Sequence, residues 1–348
     1  MTNNTTLGGG AVQAASSWHL PSLQSLLLAE STLGTQLALL LLNAVAWRLC
    51  VPWVGRNVAR PYYSRQPWFA QWSTLTQQSL QSAFGIALDK EESDAWGFEM
   101  VGIQLQHGVG GLLALPAVLG WFSPQVRVAL AIHGALCEAG WELQDGLWRL
   151  YAVTLGDAQE RARNPPALLK FIVLHHLLGL SMVLPLNMVL RENALYHEGV
   201  WLLQGAAFFA IGAQTYSYTL DTRTVRGVWK MRAAVSFVFS VYLYTRIVRF
   251  SVIVLSVLAL LYDTSVPLFA VGLVAALGMG HINVVFVTEA GSKVRKFWLL
   301  PASHARGTPH QKRLLRQASS DAVSAMGGPN VGKAAPLRFA AGDTKKLR

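Results

Sequence analysis

Residues 167–190 read ALLKFIVLHHLLGLSMVLPLNMVL, an apolar run that carries two adjacent histidines, His175 and His176. A run of about 20 apolar residues is long enough to cross a bilayer as a helix. Ionisable groups at that depth are costly, so they usually face a bundle interior or a cavity and mark a candidate functional site. Adjacent residues on a helix point about 100° apart. One histidine is therefore expected to line a site while the other bonds a neighbouring helix.

The composition of the whole chain agrees with this interpretation. Of its 348 residues, 52% are hydrophobic and only 14% are charged, a balance far from that of a soluble domain. The sequence predicts an all-α fold, a polytopic integral membrane bundle of about seven transmembrane helices. The apolar runs of sufficient length are 32–54, 100–122, 125–150, 167–190, 199–220, 231–262 and 266–287.

Basic residues define the expected orientation. Arginines and lysines gather after the first and third runs and between the fifth and sixth, whereas the alternate loops are nearly free of them. This pattern predicts a lumenal N-terminus and a cytosolic C-terminus. The expected parts are a lumenal segment 1–31 with two sequons at Asn3 and Asn4, a first span with an interfacial loop 32–98, a six-helix membrane domain 99–296 and a basic cytosolic tail 297–348.

The C-terminal region carries most of the net charge. Residues 293–348 hold twelve Lys and Arg but only two acids, Asp321 and Asp343. Because it is rich in Gly, Ala, Ser and Pro and shows no apolar periodicity, this tail is expected to be disordered and to attract anionic lipids of the cytosolic leaflet. No folded nucleic-acid motif accompanies the charge, so nucleic acid is not an expected partner.

Aromatic residues are scattered through the loop after the first run. Trp68, Phe69, Trp72 and Phe84 lie among polar residues. This pattern is typical of an interfacial amphipathic segment. The rings are expected to anchor it at the headgroups rather than to bind a ligand.

The third run places its charged residues on one helical face. Glu138, Glu142, Asp145 and Arg149 follow i, i+4, i+7, i+11 spacing. Three acids on one stripe would be too costly if they faced lipid, so they are expected to point inward or to lie near the cytosolic interface. A purely structural alternative for Asp145 is an i, i+4 pair with Arg149.

Two arginines interrupt the sixth run. Arg246 and Arg249 are one helical turn apart, and we expect them to pair with the acids of the third run. The functional alternative is an anion site, because a guanidinium suits phosphate or carboxylate. His281 in the seventh run joins this candidate binding or charge-pairing set. Lone intramembrane histidines such as His281 and His107 are more often interhelical hydrogen-bonding groups than ligands.

The order of these motifs resembles the TLC domain, a family that includes ceramide synthases and translocating-chain-associating membrane proteins. The resemblance covers residues 99–296, six of the seven runs. It implies a helical bundle around the histidine-bearing span, a link to membrane lipids and the endoplasmic reticulum as location. The motifs that carry it are GWELQD at 140–145, LHHL at 174–177, YTR at 244–246 and HIN at 281–283.

Ceramide synthases have an aspartate shortly before the paired histidines and a threonine soon after. Here the residues before the pair, KFIVL at 170–174, contain no aspartate, and those after it, LLG at 177–179, contain no threonine. The first hypothesis is thus a non-catalytic lipid-sensing or lipid-homeostasis protein that holds an acyl chain or another long-chain lipid beside the histidines. The alternative is a ceramide-synthase-type acyltransferase that uses acyl-CoA, with His175, His176 and Asp145 as catalytic residues.

Other classes of membrane protein fit less well. A retinal-binding protein needs a lysine in its last span, and 266–287 has none. A membrane di-iron enzyme needs several histidine clusters, whereas this chain has one His–His pair. No cofactor and no metal ion is therefore expected. A receptor or transporter remains an open alternative.

Overall fold

The computed structural model describes residues 20–86 and 88–299, and every regular element in that part of the chain is helical. The all-α prediction is confirmed. The sequons at Asn3 and Asn4 and the tail from residue 300 onward lie outside the described residues. The elements are α1 (Leu23–Leu27), α2 (Leu33–Val54), a π-helical turn (Gly55–Ala59), α3 (Arg60–Tyr63), α4 (Phe69–Phe84), α5 (Lys90–Leu119), α6 (Pro124–Thr154), α7 (Ala158–Arg163), α8 (Pro166–Val189), α9 (Ala194–Tyr218), α10 (Val225–Tyr242), a second π-helical turn (Leu243–Val248), α11 (Arg249–Thr264) and α12 (Val266–Leu299).

Five helical segments in the described part of the chain are long and apolar enough to cross a membrane, which is compatible with a multi-pass membrane protein. The predicted third and fifth spans correspond to α6 and α9. Both are long enough, but they carry more polar residues and fall outside this set. The five segments are Leu33–Tyr63, Lys90–Leu119, Leu168–Val189, Val225–Thr264 and Val266–Leu299.

Local signals determine where α5 begins and ends. The Asp89 side chain accepts a hydrogen bond from the Glu92 backbone N–H at 2.8 Å, and Gly120 ends the helix in the left-handed conformation. An aspartate N-cap satisfies one of the free N–H groups of the first turn. The helix therefore starts at Lys90, ten residues before the predicted run. Asp89, Glu91 and Glu92 form the cap and first turn of this helix.

Small residues allow the helices around α5 to approach closely. A Cβ placed on Gly102 would lie 2.6 Å from the carbonyl oxygen of Val51 in α2, and one on Gly134 would lie 2.6 Å from that of Gly110. Close backbone approach at small residues is a common mode of packing between membrane helices. α5 thus packs against α2, α6 and α9, while α12 packs against α8, α10 and α11.

A buried polar chain joins α2, α8 and α9. The Tyr196 hydroxyl donates to Asn187 Oδ1 at 2.7 Å, and Asn187 Nδ2 donates to Gln36 Oε1 at 2.9 Å. Gln36 Nε2 in turn donates to the carbonyl oxygens of Ala29 and Glu30. Asn187 and Gln36 are fully buried. Buried polar groups need such partners, so this chain fixes the three helices in one arrangement.

Three of the aromatic residues expected at the headgroups, Trp68, Phe69 and Trp72, pack in one cluster with Phe98. Trp72 is only 2% exposed and stacks on Phe98 with ring centroids 5.3 Å apart. Phe69 stacks on Trp72, and Tyr63 makes an edge contact with it. The prediction of a headgroup anchor is wrong for Trp72. Scattered aromatic residues in a polar segment can equally pack inward, and here they attach α4 to α5.

The π-helical turn Leu243–Val248 lies between α10 and α11. A π-helix has i→i+5 hydrogen bonds and is wider than an α-helix, so each residue contributes less rotation. Positions three apart no longer return to the same face. Arg246 lies inside this turn and Arg249 begins α11, so the two side chains diverge.

Candidate functional site

A cavity of about 220 Å³ lies between α6, α8, α9, α11 and α12. Its wall is largely apolar, with residues such as Leu178, Met182 and Leu186 of α8 facing Phe250, Val257 and Leu261 of α11. From His175 to Leu186, α8 advances by about 16 Å at about 1.5 Å per residue. This length suits a long hydrocarbon chain.

Polar side chains occupy the part of the wall around His175. They come from four elements, so no single stretch of sequence contains the site. His107 belongs to α5, Glu138 and Glu142 to α6, His175 to α8 and Arg246 to the second π-helical turn. The cavity thus combines a charged region with a hydrocarbon-like wall.

Glu138 is held by two side chains of α5. Its Oε2 atom lies 2.9 Å from His107 Nδ1 and accepts a hydrogen bond from Gln106 Nε2 at 3.0 Å. His107 therefore contacts a neighbouring helix as expected, but the expected hydrogen bond is not formed, because its Nδ1 atom has no hydrogen-bond partner among the described residues. These contacts fix the orientation of the carboxylate and leave its second oxygen available.

Glu142 lies one turn further along α6 and is 2% exposed. Its Oε1 atom is 3.9 Å from His175 Nε2, and within the described residues its Oε2 atom has no hydrogen-bond partner. The carboxylate fits because residue 179 of α8 is glycine, where a Cβ would overlap it. A buried carboxylate without a hydrogen-bond partner is costly. This side chain is therefore arranged to meet something inside the cavity.

His176 points away from the cavity wall towards α6. Its Nδ1 atom lies 3.6 Å from Asp145 Oδ2, which also accepts a hydrogen bond from Arg149 Nε at 2.8 Å. Arg149 donates further to Asn164. The structure confirms the Asp145–Arg149 pair. It also separates the roles of the histidines, because His175 lines the cavity and His176 contacts a neighbouring helix.

The two arginines do not pair with the acids of α6, and this prediction is wrong. Arg249 forms a bidentate ion pair with Glu198 of α9, in which Nε donates to Oε1 at 2.5 Å and Nη2 donates to Oε2 at 2.7 Å. Arg246 is 6% exposed and, among the described residues, makes two long hydrogen bonds, at 3.4 Å to Asn283 Oδ1 and at 3.3 Å to the carbonyl oxygen of Leu203. The π-helical turn explains the difference, because it sends the two side chains to different faces.

His281 is exposed and does not contribute to the cavity wall, although it was expected in the binding set. Ile282 and Asn283 are the buried residues of this motif, and Asn283 contacts Arg246. Gln204 was not predicted, although it lines the cavity and donates to the carbonyl oxygen of Gly134 at 2.7 Å. Its amide fills the space that the missing Cβ of Gly110 leaves, a packing relation that the sequence does not reveal.

Three side chains at the polar region are of types that bind metal ions. One donor atom each from Glu138, Glu142 and His175 lie within 4.8 Å of one another. A metal ion was not predicted, because Glu138 and Glu142 lie in the third run, His175 lies in the fourth, and the chain has one His–His pair rather than several histidine clusters. The juxtaposition depends on the packing of α6 against α8.

Comparisons of the chain with protein-family models, with curated proteins and with solved structures find no match.

Proposed function

We propose that this chain is a TLC-type multi-pass membrane protein that binds a long-chain lipid in its cavity and acts in lipid sensing or lipid homeostasis. The observation that carries this proposal is the form of the cavity, which has a hydrocarbon-like wall about 16 Å long and one charged region. Ligand sites are typically apolar, with a few polar groups that fix orientation. A single-chain amphiphile has the same two parts, an apolar tail and one polar headgroup.

The headgroup end of the ligand is assigned to Arg246. The Nε atom of Arg246 has no hydrogen-bond partner among the described residues. The two hydrogen bonds that its terminal nitrogens donate are long. A buried guanidinium with unused donors suits a carboxylate or phosphate, which accepts two parallel hydrogen bonds. We therefore propose a lipid with an anionic headgroup, such as a free fatty acid or a lysophosphatidic acid.

Filling the cavity tests the tail-binding part. Ala275 lines the wall and is 5% exposed, whereas the adjacent Val274 is 65% exposed on the outer side of the same helix. Ala275→Trp is expected to abolish binding of a fluorescent long-chain fatty acid to the purified protein, and Val274→Trp to leave it intact. Equal binding by both variants, each monodisperse, would mean that the lipid does not occupy the cavity.

A second pair of probes tests the headgroup part. Hydrogen bonds to charged groups contribute about 1.5–3 kcal/mol, so Arg246→Gln is expected to weaken fatty-acid binding by about 10- to 100-fold. Binding of the matching long-chain alcohol should change little. A similar loss for both ligands would show that Arg246 supports the fold rather than the headgroup.

An acyltransferase is the second candidate, favoured by His175 at the cavity wall with Glu142 3.9 Å from its Nε2. A histidine beside a carboxylate can act as general base on an amine or hydroxyl. Comparative lipidomics of a knockout, with wild type, His175→Ala or the exposed-site control His281→Ala added back, distinguishes the two. An acyl-lipid class restored by wild type and His281→Ala but not by His175→Ala would favour the enzyme. Unchanged acyl-lipid classes in every strain would contradict it.

An internal membrane, with the endoplasmic reticulum first, is the proposed location. The support is the TLC-like motifs and the alternation of basic loops, which favours a lumenal N-terminus and a cytosolic C-terminus. The basic tail is proposed to contact anionic lipids of the cytosolic leaflet.

A further inference from the structure

We infer that Glu138, Glu142 and His175 together bind one divalent transition-metal ion of the Zn²⁺ class at the polar region of the cavity. Their donor atoms lie within 4.8 Å of one another and come from two helices packed side by side. Imidazole and carboxylate are both ordinary zinc ligands. The inference concerns the same cavity as the proposed lipid but does not depend on a lipid being bound.

The spacing of the ligands is close to what a tetrahedral ion requires. With metal–ligand bonds of about 2.1 Å, two ligands of a tetrahedral site lie about 3.4 Å apart. His175 Nε2 and Glu142 Oε1 are 3.9 Å apart. Binding would therefore require closing this pair by about 0.5 Å, and any pair of the set by no more than about 1.4 Å, which rotamer adjustment of the three side chains can supply.

The charge balance around the carboxylates also calls for a cation. Glu142 is 2% exposed, and its Oε2 atom has no hydrogen-bond partner in the described part of the chain. No Lys or Arg among the described residues lies within ion-pair distance of Glu138 or Glu142, whose salt-bridge partners are histidines. Two buried carboxylates repel each other unless a proton or a cation lies between them. A metal ion supplies that charge and the missing ligand together.

Outer contacts support the same assignment. His107 and Gln106 hold Glu138 Oε2 at 2.9 and 3.0 Å. Hydrogen bonds such as the one from Gln106 commonly orient ligating carboxylates in metal sites. All three proposed ligands line the cavity, so the fourth coordination position faces the space where the lipid headgroup would lie. A site with three protein ligands and one open position can bind water or an anionic group.

Metal content of the purified protein tests the inference. Chelator-treated wild type, re-equilibrated with Zn²⁺ and passed through a desalting column, is expected to retain one zinc per chain. Glu142→Gln and His175→Ala should lower zinc affinity by about 100-fold or more, since losing even an outer partner typically costs about 10- to 100-fold. The matched controls are Glu289→Gln and His281→Ala, both on α12 and outside the cavity, and they should retain zinc.

Two results would overturn the inference. One is monodisperse wild type that retains no zinc, and the other is zinc retention by Glu142→Gln and His175→Ala equal to that of wild type. Should these variants fail to fold, Co²⁺ added to the wild-type protein gives a separate measurement. Strong visible absorption typical of a tetrahedral site is expected, and a spectrum like that of hydrated Co²⁺ would contradict it. Ala275→Trp, which blocks the tail region, should keep the metal, so failure of lipid binding and failure of metal binding can be told apart.

Discussion

Replacement of Asn187 by leucine should loosen the contacts among α2, α8 and α9. Leucine has nearly the same shape but cannot accept from the Tyr196 hydroxyl or donate to Gln36, so bonds of 2.7 and 2.9 Å are both lost. Hydrogen bonds between membrane helices average about 0.6 kcal/mol and reach about 1.7 kcal/mol. Two such bonds give a loss of about 1 to 3 kcal/mol for Asn187→Leu. Tyr196→Phe removes only one and should cost about half as much.

The assay is denaturant unfolding in mixed micelles of wild type, both single variants and the double variant. Because Tyr196→Phe and Asn187→Leu remove the same bond, Tyr196→Phe should cost almost nothing in the Asn187→Leu background. Tyr216→Phe is the control, since this ring is 45% exposed, and it should change stability by less than about 0.5 kcal/mol. If Tyr196→Phe has the same cost in both backgrounds, the hydroxyl and the amide do not interact and the polar chain is not formed.

Two further predictions concern the aromatic cluster and the topology. Trp72→Ala should destabilise the protein by about 3 to 5 kcal/mol, whereas Trp53→Ala, at a position that is 56% exposed, should change little in the same unfolding assay. Equal effects would show that Trp72 is not packed inside the protein. An epitope placed after Arg348 should be reached by antibody when only the plasma membrane is permeabilised, and protection of that epitope would reverse the proposed orientation.

The helices were predictable to the extent that apolar runs and end signals coincide. Residues 167–190 gave α8 within one residue, because prolines and a polar loop bound the run. The start of α5 was missed because Asp89 caps a turn that is not apolar, and hydropathy does not detect caps. In α6, hydropathy underestimates a helix that is long enough to span a membrane. Its acids lower its hydropathy below that of a typical span, although the helix is 31 residues long.

The site was predictable one residue at a time but not as an arrangement. The stripe Glu138, Glu142 and Asp145 was expected to point inward because lipid exposure is too costly, and Glu142 and Asp145 are buried. Which cation meets which acid depends on helix rotation. The prediction for Arg246 assumed regular α geometry, and one π-helical turn was enough to make it wrong. The convergence of Glu142 with His175 likewise depends on tertiary packing alone.

The π-helical turn Leu243–Val248 also determines where this chain can vary in length. Its six residues rotate the chain by about as much as five residues of α-helix, because each π residue contributes less rotation. Deleting one residue there would restore α geometry and leave Ile253 and Leu261 on the cavity wall, of which they now form part. A deletion at the start of α11 is not absorbed in this way, and it would rotate the rest of that helix by about 100° and shift it by about 1.5 Å. The loss of one residue is therefore tolerated by the wall in this turn and disrupts the wall in α11.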